Sequence, residues 1–247
     1  MKDSFEEYLD LALKLSIAML KNGGETYRAE ECARSILAAC GAESIQVLAL
    51  PTAVTATAEY QGKSYTKVCS IRTRSNDLGN IDALNTISRK VSARRMSCED
   101  ALEKLKAIEQ GKYAFFKRSI FSSFSSAAFA VMFSGGFLEF FLAFIVAFIA
   151  QMFLLAFKKI GSITFFANLG GSMITALLAR LSAALFPEIN MSSIIIGGIM
   201  TLLPGLAMVN AIRDTLYGDI VSGTARGVEA LLSAVSIAAG VGLMLAF

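Results

Sequence analysis

The sequence predicts a membrane all-α domain of five transmembrane helices preceded by a small cytoplasmic α+β domain, and three observations carry that expectation. Sixteen of the 23 Lys and Arg residues precede Phe115. Beyond it, the stretches 119–138, 140–157, 160–179, 189–212 and 230–247 hold no formal charge and run 20, 18, 20, 24 and 18 residues. The first 114 residues instead mix 16 basic and 15 acidic residues with short helical and alternating patterns. About 20 apolar residues of helix, at about 1.5 Å each, cross a hydrocarbon core of about 30 Å. The expected division is a cytoplasmic α+β domain over 1–111 and a transmembrane domain over 112–247.

In the first domain, Phe5, Leu9, Ala12, Leu13 and Leu20 recur at helical spacing until Asn22-Gly23-Gly24 stops the pattern. A second helix carries Ala29, Ala33, Ile36, Leu37 and Cys40 on one stripe, with Gly41 at its C-cap. Three β-like segments follow at 44–50, 53–60 and 64–71, separated by Pro51-Thr52 and by a Gln61-Gly62 hairpin turn. Helices over 77–96 and 98–110 close the domain, the latter opened by a capping box of Ser97 with Asp100. The order is ααβββαα. Glu25, Arg28, Glu30 and Glu31 cluster after the glycine pair, and Arg72, Arg74 and Asp77 follow the last strand. Such carboxylates could form a catalytic pair; the plainer reading is a helix start whose dipole favours acids, beside a solvated basic loop.

Several chemistries are excluded or unsupported. The chain has no His, which rules out His-based metal sites and catalytic triads, and its four Cys match no zinc spacing. Cys32, Cys40, Cys69 and Cys98 read as reduced, partly buried thiols. No nucleophile-elbow or nucleotide-binding signature occurs, so no catalytic residue, metal site or cofactor is expected. No basic stripe with interleaved aromatics speaks for nucleic acid.

Charge placement sets the expected orientation. The acidic start, from Lys2-Asp3-Ser4-Phe5-Glu6, is no secretory signal. Lys117 and Arg118 precede span one, Lys158 and Lys159 follow span two, and Arg213 and Arg226 lie between spans four and five. The other connections carry no positive charge, so the positive-inside rule puts the N-terminus in the cytoplasm and the C-terminus outside an inner membrane. Arg180, within span three, is placed to snorkel outward.

Polar groups and helix breakers inside the spans are the candidate site. Span three holds Asn168, Gly170 and Gly171, which serve either close helix packing or a polar substrate. Span four holds Thr201, Pro204, Gly205 and Asn210. Proline removes a backbone donor and its neighbouring glycine loosens the helix, and groups so freed must line a cavity or be covered by protein. Transporters place substrate sites at such interruptions; a plain proline kink is the simpler account. Arg213, Asp214, Arg226 and Glu229 crowd the loop after span four, with Arg226 and Glu229 spaced to pair on a continuing helix. Asp214 is the candidate for proton coupling or gating, alongside the reading of a plain interfacial charge.

Taken in order, Leu203-Pro204-Gly205, Asn210, Asp214, Gly223, Arg226 and Gly240 resemble the threonine/serine exporter (ThrE-like) family. So do Gly23-Gly24-Glu25-Thr26-Tyr27-Arg28-Ala29-Glu30 and Arg72, Arg74 with Asp77-Leu78. Complete members of that family join two membrane halves, whereas five spans resemble the larger component of a split form. The resemblance implies an exporter subunit for small polar metabolites, threonine/serine-type amino acids or a C4-dicarboxylate such as succinate. It further implies a companion five-span membrane protein, and a proton gradient is the expected driving force. A homo-oligomer stays open. The alternatives are a membrane scaffold or assembly subunit and, less favoured, a membrane-anchored hydrolase.

Overall fold

The computed structural model describes residues 5–71, 75–110, 115–159 and 164–246. Arg72 and Arg74 lie outside them. The chain forms two compact units. The first is Met1–Lys112 with Leu206–Val228, and the second is Tyr113–Gly205 with Glu229–Phe247.

The first unit opens with α1 (Phe5–Lys21), α2 (Thr26–Ala39) and the antiparallel meander β1 (Glu43–Leu50), β2 (Ala53–Tyr60) and β3 (Lys63–Ser70). It continues with α3 (Leu78–Ser92) and α4 (Cys98–Gln110). The α1 helix is its centre: Leu11, Leu13, Leu15, Met19 and Leu20 are all buried, while the stripe of Glu6, Asp10 and Lys14 reaches the surface. Val47, Ala49, Val54, Ala56 and Ala58 turn the inner face of the sheet into that core. Period two places Leu48 on the other face, 55% exposed. Tyr60 pairs with Lys63 across Gln61 and Gly62, whose φ values of 51° and 73° are those of the two-residue turn that matches strand twist. The expected cap also forms, with Asp100 N–H donating to Ser97 Oγ at 3.1 Å. The helix expected over 77–96 is shorter, because Arg94 turns left-handed (φ 55°) and its guanidinium donates to Ala39 O at the end of α2.

The second unit contains α5 (Phe115–Met132), α6 (Phe137–Lys159), α7 (Thr164–Leu185) and α8 (Met191–Met200). The chain then breaks at 201–204, α9 (Gly205–Leu216) follows, and α10 (Ile220–Ala246) ends the chain. Of these, α9 from Leu206 and α10 through Val228 belong to the first unit. Arg226 and Glu229, expected in a loop, lie on α10, and the connection shrinks to Tyr217-Gly218-Asp219. Gly218, at φ 90°, supplies that sharp reversal.

Among the described residues α6, α7 and α10 are long and apolar enough to cross a membrane, and the broken pair α8 and α9 makes a fourth if it counts as one span. The remaining helix, α5, includes Lys117 and Arg118 and buries a stripe of Ser119, Ser123 and Ser126. Its Ser123 hydroxyl donates to Ser119 O at 2.8 Å, satisfying a polar group within the helix. The core of this unit is small: Ala130, Ala143 and Ala179 join Val146, Ile194 and Ile195, while Phe121, Phe137 and Phe141 face outward. At one end, the Glu139 carboxylate accepts from Gly136 N–H at 2.8 Å and Asn190 N–H at 2.9 Å, tying the α5–α6 connection to the start of α8.

Candidate functional site

The most polar buried cluster lies in the first unit and begins at a turn. Gly23 (φ 91°) reverses the chain after α1, and a Cβ on Gly24 would stand 2.9 Å from Met19 O. Only glycine allows this tight approach, which leaves the carbonyls of both residues available. Asn210 Nδ2 donates to Gly23 O at 2.8 Å, and Arg226 Nη2 donates to Gly24 O at 2.8 Å. The two helices that deliver these groups meet closely: a Cβ on Gly223 of α10 would collide with the Thr215 hydroxyl and lie 2.8 Å from Ala211 O of α9.

The first turn of α2 has unsatisfied N–H groups and the positive end of the helix dipole. Glu25 occupies its N-cap without making the side-chain cap. A residue 188 positions away does so in its place, with Thr26 N–H donating to Asp214 Oδ1 at 3.3 Å. Asp214 Oδ2 lies 3.0 Å from Arg226 Nε. Beside this pair, Glu25 meets Arg213 and also Arg28, the latter at 3.4 Å. Tyr27 and Tyr217 stack, centroids 4.4 Å apart. Asp214 is 0% exposed and Arg226 7% exposed. A buried ion pair contributes little net stability, yet removing one partner strands the other at a cost of about 3–5 kcal/mol. Such an arrangement suits a two-state element better than a stabilising one.

The surroundings of this cluster are inverted relative to a water-soluble helix. On α9 the buried positions include Asn210 and Asp214, while Met208, Val209, Ile212 and Leu216 are exposed. The start of α10 repeats the pattern, with Arg226 buried and Ile220, Val221 and Val228 exposed. Polar inside and apolar outside fits an apolar environment.

Four expected site residues, Asn210, Arg213, Asp214 and Arg226, therefore come together. The remaining expected residues are distributed over α7, the break, α9 and α10. Asn168, Gly170 and Gly171 belong to α7 in the second unit, where Gly170 abuts Phe153 and Gly171 abuts Leu154 of α6. Asn168, 7% exposed, has no hydrogen-bond partner among the described residues. Thr201 caps α8 and Pro204 stands in the break. Gly205 opens α9 with nothing close to it, and Glu229 is exposed on α10. The sequence offers Glu25 either as a member of a catalytic carboxylate pair or as part of a plain helix start, and gives Thr26 no role; the adjoining glycine pair is the signal that something approaches there. Elsewhere in the unit, burial pushes Glu30 above the usual carboxylate range although Ala49 N–H donates to it. Burial likewise raises the Cys32 thiol to about 11, which leaves it inert.

Comparison with known proteins matches residues 10–247 to the ThrE family, described as "Putative threonine/serine exporter". The "Threonine/serine exporter" of Corynebacterium glutamicum is 42% identical over 89 residues, covering 34% of this chain and 18% of that protein. The "Probable threonine/serine exporter" of Mycobacterium tuberculosis (strain ATCC 25618 / H37Rv) is 22% identical over 237 residues, covering 94% of this chain and 45% of that protein. The chain thus spans less than half the length of either curated relative. No solved structure matches.

Proposed function

The chain belongs to the threonine/serine exporter family, a family of membrane transporters rather than enzymes, and we propose that it is one subunit of a secondary exporter for small polar metabolites. Its cargo is a threonine/serine-type amino acid or a C4-dicarboxylate such as succinate, its driving force the proton gradient, and its companion a second five-span membrane protein. The spans are α5, α6, α7, the broken pair α8 and α9, and α10, with the N-terminus cytoplasmic and the C-terminus outside the inner membrane. The basic residues at 117–118 and 158–159 favour that orientation. So does the meeting of Glu139 with Asn190, which gathers two connections of low positive charge at one end.

The observation that carries this reading is the fully buried Asp214, held by Thr26 N–H and Arg226 on a helix whose outer face is apolar. Protonation removes the charge that holds Arg226 and the first turn of α2. The α9 helix begins just past the break at 201–204, so it can shift once that hold is lost. In this scheme Asn168, Gly170, Gly171, Thr201, Pro204, Gly205 and Asn210 belong to the substrate pathway, and Arg213, Asp214, Arg226 and Glu229 to coupling or gating. The test is efflux of labelled threonine, serine or succinate from loaded cells, with this chain alone and with its companion. Efflux of one cargo, abolished by an uncoupler and by Asp214→Asn, is the expected result. Undiminished efflux in Asp214→Asn and Pro204→Ala would remove both residues from the mechanism. No efflux of any cargo, with both proteins in the membrane, would favour a scaffold.

A further inference from the structure

A second polar feature of the first unit takes no part in that scheme. Between α2 and α3 lies an open cleft of about 650 Å³, within the range of about 300–1,000 Å³ typical of small-molecule sites. One wall is a single face of α2, with Arg28, Glu31 and Ser35 at positions i, i+3 and i+7; the other is a single face of α3, with Ser88, Arg89 and Ser92 at i, i+1 and i+4. Helix faces that oppose one another are ordinarily closed by apolar side chains; here Cys32, Ala93 and the ring of Tyr27 are the apolar part of the lining and the rest, Asn85 included, is polar. The Ser92 hydroxyl is buried without a hydrogen-bond partner, an omission that native interiors rarely leave uncompensated. Arg89 has no ion-pair partner among the described residues. Arg28 is committed only through Nε, which faces Glu25 and the Tyr27 hydroxyl, so its terminal nitrogens retain donors.

We infer that this cleft binds a small zwitterion of the α-amino-acid class, its carboxylate on Arg28 and Arg89, its ammonium on Glu31 and its polar side chain among the serine hydroxyls. Two guanidinium groups fit a carboxylate because their planar donor sets match its two oxygens, and one opposed carboxylate selects an ammonium on the same ligand. A simple carboxylate satisfies the arginines but leaves Glu31 facing an anion. A simple amine has the reverse fault. Arg28 also pairs with Glu25, which meets Arg213, so occupancy of the cleft competes for one member of the buried cluster. The cleft is thereby placed to report ligand concentration to that cluster, a role distinct from carrying cargo.

The test is calorimetric titration of the full chain in lipid nanodiscs with L-serine, with lactate and with ethanolamine. Saturable L-serine binding is expected, about tenfold or more weaker in Arg89→Ala and in Glu31→Gln, with lactate and ethanolamine each weaker than serine. Both substitutions are at exposed positions, and an unchanged thermal melt establishes that each variant is folded. Absence of serine binding would overturn the assignment. Binding that survives both cleft variants but is lost in Asn168→Ala would place the site in the membrane half and overturn it equally. Lactate binding as tightly as serine would refute the zwitterion. Because the readout is binding and not efflux, a failure of the transport reading leaves this test standing.

Discussion

The two units solve packing in opposite ways. The first is built like a water-soluble domain, with large aliphatic side chains inside; Leu11, Leu13, Leu15 and Leu37 are all fully buried. The second puts small residues inside and large ones outside: Ala127, Ala130, Ala143 and Ala176 are buried while Phe121 and Phe137 are 72% and 81% exposed. Water rewards removal of apolar area, so its core fills with leucine. Lipid gives no such reward between helices, and close backbone approach takes over. Gly197 shows the consequence, since a Cβ there would stand 2.6 Å from Ser126 O of α5. Within the first unit, α9 and the start of α10 follow the second rule, with apolar side chains outside and charges within.

That contrast can be attacked by substitution. The largest effect is expected where charge is buried: Asp214→Ala should lower stability by about 3–5 kcal/mol by stranding Arg226. Asp214→Ala with Arg226→Met should recover much of that in denaturant melts without restoring efflux. If the single variant melts like the parent, the two groups are not a buried ion pair. Next, Leu13→Ala in α1 should cost about 2–5 kcal/mol, as for a leucine in a water-soluble core. A loss well below 1 kcal/mol would contradict the first half of the comparison.

In the second unit, enlargement should matter more than truncation. Gly197→Val should cost about 1–3 kcal/mol because backbone must move, whereas Gly205→Ala, with nothing within 4 Å, should leave the melting temperature unchanged or slightly raised. Equal melts for the two variants would refute close packing as the rule there. The smallest effect concerns Asp10. Burial works to raise its carboxyl, but hydrogen bonds and charge from Lys14 and Lys67 outweigh that and hold it below the usual carboxylate range. A depressed folded value means the contribution is present above the unfolded value and fades as pH falls through the folded one. Asp10→Asn should therefore cost no more than about 1 kcal/mol at neutral pH, and the difference from the parent should vanish in strong acid.

Much of the fold was legible because local patterns encode it. The order of two helices, three strands and two helices followed from periodicity, and the turns at Pro51-Thr52 and Gln61-Gly62 from residue type. The interruption of span four followed from Pro204. Less legible was the length of α10, because Arg226 and Glu229 look like loop residues when charge alone is counted; a buried partner lets a helix carry such a charge. The site was half legible. Asp214 and Asn210 stood out as polar groups near a broken span, but nothing in spacing pointed from Asp214 to Thr26, or from Arg226 to Gly24.

What the sequence determined by itself was the character of each segment: which stretches are free of charge, which alternate as strands, where the backbone must turn, and the family to which the whole belongs. Those properties reside in a few neighbouring residues, and a linear reading captures them. Only the tertiary structure decided that Leu206–Val228 packs with Met1–Lys112, that the turn at Gly23-Gly24 receives Asn210 and Arg226, and that Thr26 N–H donates to Asp214. The physical reason is the kind of bond involved. A buried carboxylate must find a donor or a cation somewhere, and the first turn of α2, with its N–H groups lacking partners within the helix, offers one; no periodicity along the chain records which distant helix end will supply it.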